Sequence, residues 1–261
     1  MARYLFSSHD GFGLGHVRRN SLIARAILER EPTAQIVLVT GLALRPAWLG
    51  DQRVQVVRVP PLLKDSTGAY RHEDLSFEEA IAQRSAIFSS TVGDFRPDVV
   101  VIDRHPYGIA GELRAGIHNA RADGATVVLG LRDVLDEPAR VREELTGDGW
   151  RDVPELFDEV LVYGSQVLCD HEAEYGLPVA PRYCGWVVDR PPVKRREPGL
   201  LAITAGGGGD GDAVFRLGVE LAERRGTAFH LVNLGPRSIA RSAIAFSRLL
   251  AQTPRRFVSS W

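Results

Sequence analysis

Tyr4-Leu5-Phe6-Ser7-Ser8-His9-Asp10-Gly11-Phe12-Gly13-Leu14-Gly15-His16-Val17-Arg18-Arg19 opens the chain, and the rest of the sequence is organised around it. The apolar run Tyr4-Leu5-Phe6 reads as a short buried strand. Val17, Ser21, Ala24, Ile27 and Leu28 recur close to the 3.6-residue period, so a helix follows. Between strand and helix, Gly11, Gly13 and Gly15 let the backbone turn sharply and let a ligand approach with no Cβ in the way. The helix aims its free N–H groups and the positive end of its dipole at that loop, which suits phosphate or another anion. His9 and His16 add two groups that titrate near neutral pH. The stretch reads as a ligand site; a ligand-free strand-to-helix connection is the bland alternative.

Several nucleotide folds use such loops. The dinucleotide fingerprint asks for a third glycine where His16 stands, and for an acid at the end of the next strand. That strand, residues 35–39, runs into Thr40-Gly41. The Gly-Lys-Ser/Thr of a P-loop is missing as well. Nicotinamide, flavin and ordinary ATPase readings therefore fit poorly.

With 261 residues the chain has room for one large or two modest domains. Its 44% hydrophobic and 25% charged residues are an ordinary globular balance, and a net charge of −1 gives no field to gather nucleic acid. Cys169 and Cys184 form neither a disulfide framework nor a metal cluster, so reduced cytosolic thiols are the default. No signal peptide is visible, and no apolar run approaches the roughly 18 to 20 residues of a membrane span.

Strands and helices alternate onward. Strands are expected at 35–39, 54–59, 98–102, 126–131 and 159–163, and helices at about 76–92, 109–122 and between 137 and 157; residues 64–74 read as a polar loop. The strand Asp98-Val99-Val100-Val101-Ile102 is nearly all β-branched and belongs at the centre of a parallel sheet. The pattern is that of a doubly wound α/β sheet, whose ligands bind beyond the carboxyl ends of the strands. Those ends carry His9 and His16, then Asp103 and His105, then Arg132 and Asp133. Any one of them alone reads better as a cap or loop residue, and it is their coincidence that argues for a site.

Residues 189–198 are charged and proline-rich and read as a linker, leaving 1–188 as a Rossmann-like N-terminal domain and 199–261 as part of a second. The second begins with a strand at 200–204, the loop Gly206-Gly207-Gly208-Gly209-Asp210-Gly211, a helix at 212–224, a strand at 228–232 and a helix near 239–251. Gly206, Gly208 and Gly211 fit the Gly-x-Gly-x-x-Gly spacing, again without the acid on the following strand. Asp210 and Asp212 match a short acidic metal pattern but are better read as helix caps. The second domain is expected to be incomplete, with an open sheet edge through which the chain self-associates.

Taken together, the first glycine loop, Asp103-Arg104-His105-Pro106, Gly130-Leu131-Arg132-Asp133, Glu174-Tyr175-Gly176-Leu177-Pro178 and Tyr183-Cys184-Gly185-Trp186-Val187 resemble the blocks of bacterial glycosyltransferases of the GT-B fold. These are distant relatives of the enzyme that adds N-acetylglucosamine to the peptidoglycan lipid precursor. The resemblance implies two Rossmann-like domains, with the acceptor held by the first and the donor by the second. It implies a nucleotide-diphosphate sugar donor, UDP-sugar first, and an acceptor hydroxyl on a lipid-linked or small molecule. No cofactor and no metal are implied. The location it implies is cytoplasmic, or peripheral at the inner face of the membrane. It places the donor diphosphate by Gly206, Gly207, Gly208, Gly209 and Gly211, with Gly13 and Gly15 of the facing loop as further phosphate-binding residues. His16 (or His9) paired with Asp103 would take the acceptor proton, although a histidine that only donates to phosphate is an equal alternative. His9, Arg18, His105, Arg132 and Asp133 fall on the acceptor side. Two other readings remain: a nucleotide-sugar epimerase of the same fold, and a non-catalytic remnant or acceptor-binding module.

Overall fold

Leu5 and Phe6 send their side chains to opposite faces of the first strand, and the two hydrophobic cores grow from them. The computed structural model describes residues 1–8, 15–42, 53–64, 69–189, 200–205, 212–225 and 228–233. Of the residues singled out above, His9, Gly11, Gly13, Gly206, Gly207, Gly208, Gly209, Asp210 and Gly211 lie outside the described residues, as do the helix near 239–251 and the linker beyond Asp189. The chain separates into two compact units, residues 1–11 with 15–189 forming the first and 190–261 belonging to the second.

In the first unit the elements are β1 (Arg3–Ser7), α1 (Gly15–Arg30), β2 (Gln35–Thr40), β3 (Val54–Arg58), β4 (Leu63–Lys64), β5 (Tyr70–Arg71), α2 (Phe77–Phe95) and β6 (Val99–Asp103). There follow α3 (Arg114–Ala122), β7 (Thr126–Arg132), α4 (Pro138–Leu145), α5 (Val153–Leu156), β8 (Glu159–Tyr163), α6 (His171–Tyr175) and β9 (Arg182–Tyr183). Seven strands form one sheet in the order β3-β2-β1-β6-β7-β8-β9, every neighbouring pair parallel. The chain winds outward from β1 through β2 to β3, then returns to the other side of β1 with β6. This is a doubly wound α/β sheet, and its switch point lies between β1 and β6.

Side chains alternate across the sheet as the strand period requires. Leu5, Val37, Val100, Ile102, Val127 and Leu129 enter one core with Phe88, Ile117 and Trp150. Phe6, Ile36, Leu38, Val101 and Val128 enter the other, with Val17, Ala24 and Leu28 of α1. The β-branched strand β6 is the fourth of the seven, buried on both faces.

Helix α2 starts on a capping box: Ser76 Oγ accepts from the Glu79 amide at 3.1 Å, and Glu79 Oε2 accepts from the Ser76 amide at 2.9 Å. Two expectations need correction. The helix expected from residue 109 begins only at Arg114. Gly108 and Gly111 hold φ of +86° and +84°, and Glu112 turns inward to the buried Arg84 guanidinium at 3.0 Å, so the intervening segment cannot be helical. The polar loop at 64–74 contains the short antiparallel pair β4–β5.

The second unit is described over β10 (Leu200–Ala205), α7 (Asp212–Arg225) and β11 (Ala228–Asn233), the two strands parallel. Val219 and Ala222 bury one face of α7, and Gly218 lets Ile203 close in, since a Cβ there would stand 2.7 Å from the Ile203 side chain.

Candidate active site

Parallel pairing puts the carboxyl ends of β1 and β6 side by side, with Ser7 opposite Ile102. One residue further on, Asp103 ends β6 at 2% exposure. The chain then turns abruptly through Arg104, whose φ of +75° is unusual for a residue with a side chain. That turn is held by the Arg104 amide on the Gly130 carbonyl at 2.8 Å and by an Arg104–Glu144 ion pair with contacts of 3.0 and 2.8 Å.

From the other strand, α1 opens at Gly15, where nothing lies within 4 Å of the position a Cβ would take. His16 and Arg19 stand three residues apart on one face of this helix, directed at Asp103. His16 Nδ1 lies 3.0 Å from Asp103 Oδ1. Arg19 Nη2 donates to Asp103 Oδ1 at 2.6 Å and Oδ2 at 2.7 Å, and stands 3.1 Å from His16 Nδ1. Burial alone would raise the Asp103 pKa. The hydrogen bonds and charges of His16 and Arg19 outweigh it and hold the carboxyl below its usual range. The Arg19 guanidinium lies over the Tyr163 ring at 4.8 Å. Tyr163 fits there because Gly130, the cross-strand partner of Asp103, has no side chain: a Cβ at Gly130 would stand 2.5 Å from the Tyr163 hydroxyl. Burial pushes the Tyr163 phenol upward, so it stays neutral.

The structure therefore brings two of the expected residues, His16 and Asp103, into contact at the switch point. His105 stands two residues beyond Asp103 in a cleft of about 450 Å³, lined also by Tyr107, Arg114, Glu144 and Trp150. Its Nδ1 is 3.5 Å from Glu144 Oε1. Burial would raise the Glu144 pKa, but hydrogen bonds and charges from His105 and Arg104 bring it down to about 2. Arg114 lies 3.8 Å over the Tyr107 ring, and burial pushes that phenol up to about 12.

The other described acceptor-side candidates have the following contacts. Arg18 is exposed and faces Asp189 at 3.9 Å. The Arg132 guanidinium donates to the Leu135 carbonyl, while its own carbonyl meets the buried His171 Nε2 at 3.1 Å. Asp133 accepts from the Trp186 indole at 3.1 Å and from the Val134 amide at 3.0 Å. Sequence reasoning missed Arg19, Gly130, Tyr163 and Glu144. Arg19 carried a signal in its i,i+3 spacing from His16, and Gly130 in the block it opens; Tyr163 and Glu144 carried none. Among the described residues, no group of three or more His, Cys, Asp or Glu is placed to hold a metal ion, and no helix is long and apolar enough to cross a membrane.

No protein-family model matches the chain, and no curated protein does. Solved structures do. A glycosyltransferase from Rickettsia africae ESF-5 is similar over 98% of this chain and 68% of its own, at 10% identity and a TM-score of 0.55. Phytolacca americana UGT2, complexed with UDP-2fluoro-glucose and pterostilbene, is similar over 100% of this chain and 72% of its own, at 11% identity and a TM-score of 0.59. The glycotransferase of kitacinnamycin is similar over 92% and 67% respectively, at 14% identity and a TM-score of 0.51. The chain thus has an α/β Rossmann-like fold matching that of GT-B glycosyltransferases.

Proposed function

We propose that the chain is a glycosyltransferase that moves a sugar from a nucleotide-diphosphate sugar to an acceptor hydroxyl. The observation that carries this reading is the 3.0 Å contact between His16 and Asp103 at the switch point of the sheet. A histidine held by a buried carboxylate beyond the strand ends is equipped to take a proton from a hydroxyl. In the proposed step the acceptor O–H gives its proton to a His16 ring nitrogen. Its oxygen attacks the anomeric carbon, the bond from that carbon to the diphosphate oxygen breaks, and the nucleoside diphosphate leaves with the electron pair.

The cleft beside His105 is the acceptor-side candidate, its aromatic and charged walls suiting a polar molecule with an apolar face. The donor diphosphate is assigned on sequence grounds to residues 206–211, where loop amides and a helix N-terminus would neutralise its charge without a metal. A uridine nucleotide is the first to test, because the plant enzyme of similar fold was solved with UDP-2fluoro-glucose.

The test is UDP release from a panel of UDP-sugars, with and without hydroxyl acceptors. Release that depends on acceptor is expected, and His16→Ala should lower it by about 10² to 10⁴ with the fold intact, the range for loss of a general base. UDP formed equally well without acceptor would point to epimerase chemistry. Turnover unchanged in His16→Ala would remove the histidine from the reaction.

A further inference from the structure

We propose that Arg19 is a positioning residue that selects the base-competent tautomer of His16, by keeping the Asp103 carboxylate an acceptor for His16 Nδ1–H. The proposal deepens the reading of His16 as the base and rests on it.

A single ring nitrogen faces two partners of opposite demand. His16 Nδ1 has Asp103 Oδ1 at 3.0 Å and Arg19 Nη2 at 3.1 Å. Carrying hydrogen, it donates to the carboxylate; without hydrogen, it accepts from the guanidinium. It cannot do both. The Arg19 distances decide between them. Nη2 is closer to the two carboxylate oxygens, at 2.6 and 2.7 Å, than to the imidazole. The guanidinium therefore donates first to the carboxylate, where charge-assisted bonds are strongest. The imidazole is left facing an oxygen that only accepts. Its proton belongs on Nδ1, and Nε2 becomes the nitrogen that receives a proton from a hydroxyl. The reverse tautomer would set two lone pairs against each other at 3.0 Å.

Without Arg19, Asp103 would lose its only other charged partner among the contacts above. A buried carboxylate stripped of its cation gains a proton more readily. A protonated Asp103 would donate to Nδ1, place the imidazole hydrogen on Nε2 and disable the base. The neighbouring charges do not replace Arg19: Arg18 on the same helix faces Asp189 at 3.9 Å, and beyond β6 Arg104 is engaged by Glu144 at 2.8 Å. Arg19 is itself braced from β8, where the neutral Tyr163 ring underlies it at 4.8 Å.

The test is long-range proton–nitrogen correlation NMR on the full chain labelled with ¹⁵N-histidine. It is run well above the ordinary imidazole pKa of about 6.5, with His16→Gln identifying the resonance. Wild-type His16 is expected in the Nδ1–H form. Arg19→Met should lower the Nδ1–H to Nε2–H ratio by about tenfold, the equilibrium worth of one charge-assisted hydrogen bond. Arg19→Lys, which keeps a cation beside Asp103, should restore most of the bias. Wild-type His16 found as Nε2–H would overturn the proposal, and that measurement needs no Arg19 variant to fold. So would a folded Arg19→Met protein with unchanged tautomers. No substrate enters this experiment, so a failed transferase assay and a failed tautomer shift are separate outcomes.

Discussion

Arg104 shows how a single residue at the site is held in an unfavourable conformation. A φ of +75° costs a non-glycine residue roughly 1 kcal/mol or more, and the contacts to Glu144 at 3.0 and 2.8 Å offset that cost. Glu144 also faces His105, and its pKa falls from an ordinary 4.5 to about 2. A group whose folded pKa is lowered adds stability that is present above its unfolded value and disappears as pH falls through its folded value. The stability difference between wild type and Glu144→Gln should therefore be fully present just above pH 4.5 and shrink toward pH 2. Urea unfolding at successive pH values measures it. A difference that grows on acidification would mean that the ion pair is not what lowers the Glu144 pKa. Nothing in the sequence links position 144 with 104 or 105, since the contact joins the β6–α3 connection to the last turn of helix α4. His16 and Asp103 were legible as candidates because each follows a strand whose end the sequence marks. Arg19 stood within the same motif, yet its role depends on where a strand some 84 positions later ends.

At the level of elements, legibility followed burial. Strands β2, β6, β7 and β8 are short apolar runs and were readable to within a residue or two. The five-residue α6 and the two-residue β9 are too short for any period to show. The start of α3 was misread because apolar residues before it continue the pattern. The deciding contact, Glu112 with Arg84, is long-range. Gly130 carries the element-level prediction. A glycine inside a strand costs roughly 0.5–1 kcal/mol relative to alanine, so Gly130→Ala would stabilise if only the backbone mattered. The added Cβ, however, would stand 2.5 to 2.9 Å from the hydroxyl and two ring carbons of the buried Tyr163, and overpacking of this kind costs about 1–3 kcal/mol. Net destabilisation is expected. Because Tyr163 supports Arg19, the His16 tautomer should shift as well. In a Tyr163→Leu background the clash is gone and Gly130→Ala should become nearly neutral, a coupling that a double-mutant cycle reads directly. Additive effects in that cycle would mean that strand β7 gives way and the ring does not.

On the scale of the whole molecule, the questions are where the stability of the candidate base pair comes from and whether it needs the second unit. Both cores flanking the seven-stranded sheet are built from residues before position 190. His16, Arg19, Asp103, Gly130 and Tyr163 all belong to the first unit. An α/β unit of this size buries nearly 70% of its unfolded surface, enough for independent folding. Its last described stretch reaches back to α1 through Asp189, which meets Arg25 at 3.0 Å with side-chain exposures of 42% and 49%. An exposed pair of that kind adds about 0–1 kcal/mol, so stability should not hinge on it. A fragment of residues 1–189 is therefore expected to unfold cooperatively, and Asp189→Asn should lower its Tm by no more than a few degrees. Its His16 resonance should report the same tautomer as the full chain. Transfer should be lost, since the reading above assigns the donor diphosphate to residues 206–211. Calorimetry, the His16 spectrum and a UDP-release assay on the one fragment separate these claims. A fragment that fails to fold would show that the first sheet depends on the second unit. A folded fragment that still transfers sugar would move the donor site onto the β1–β6 switch point itself, beside His16.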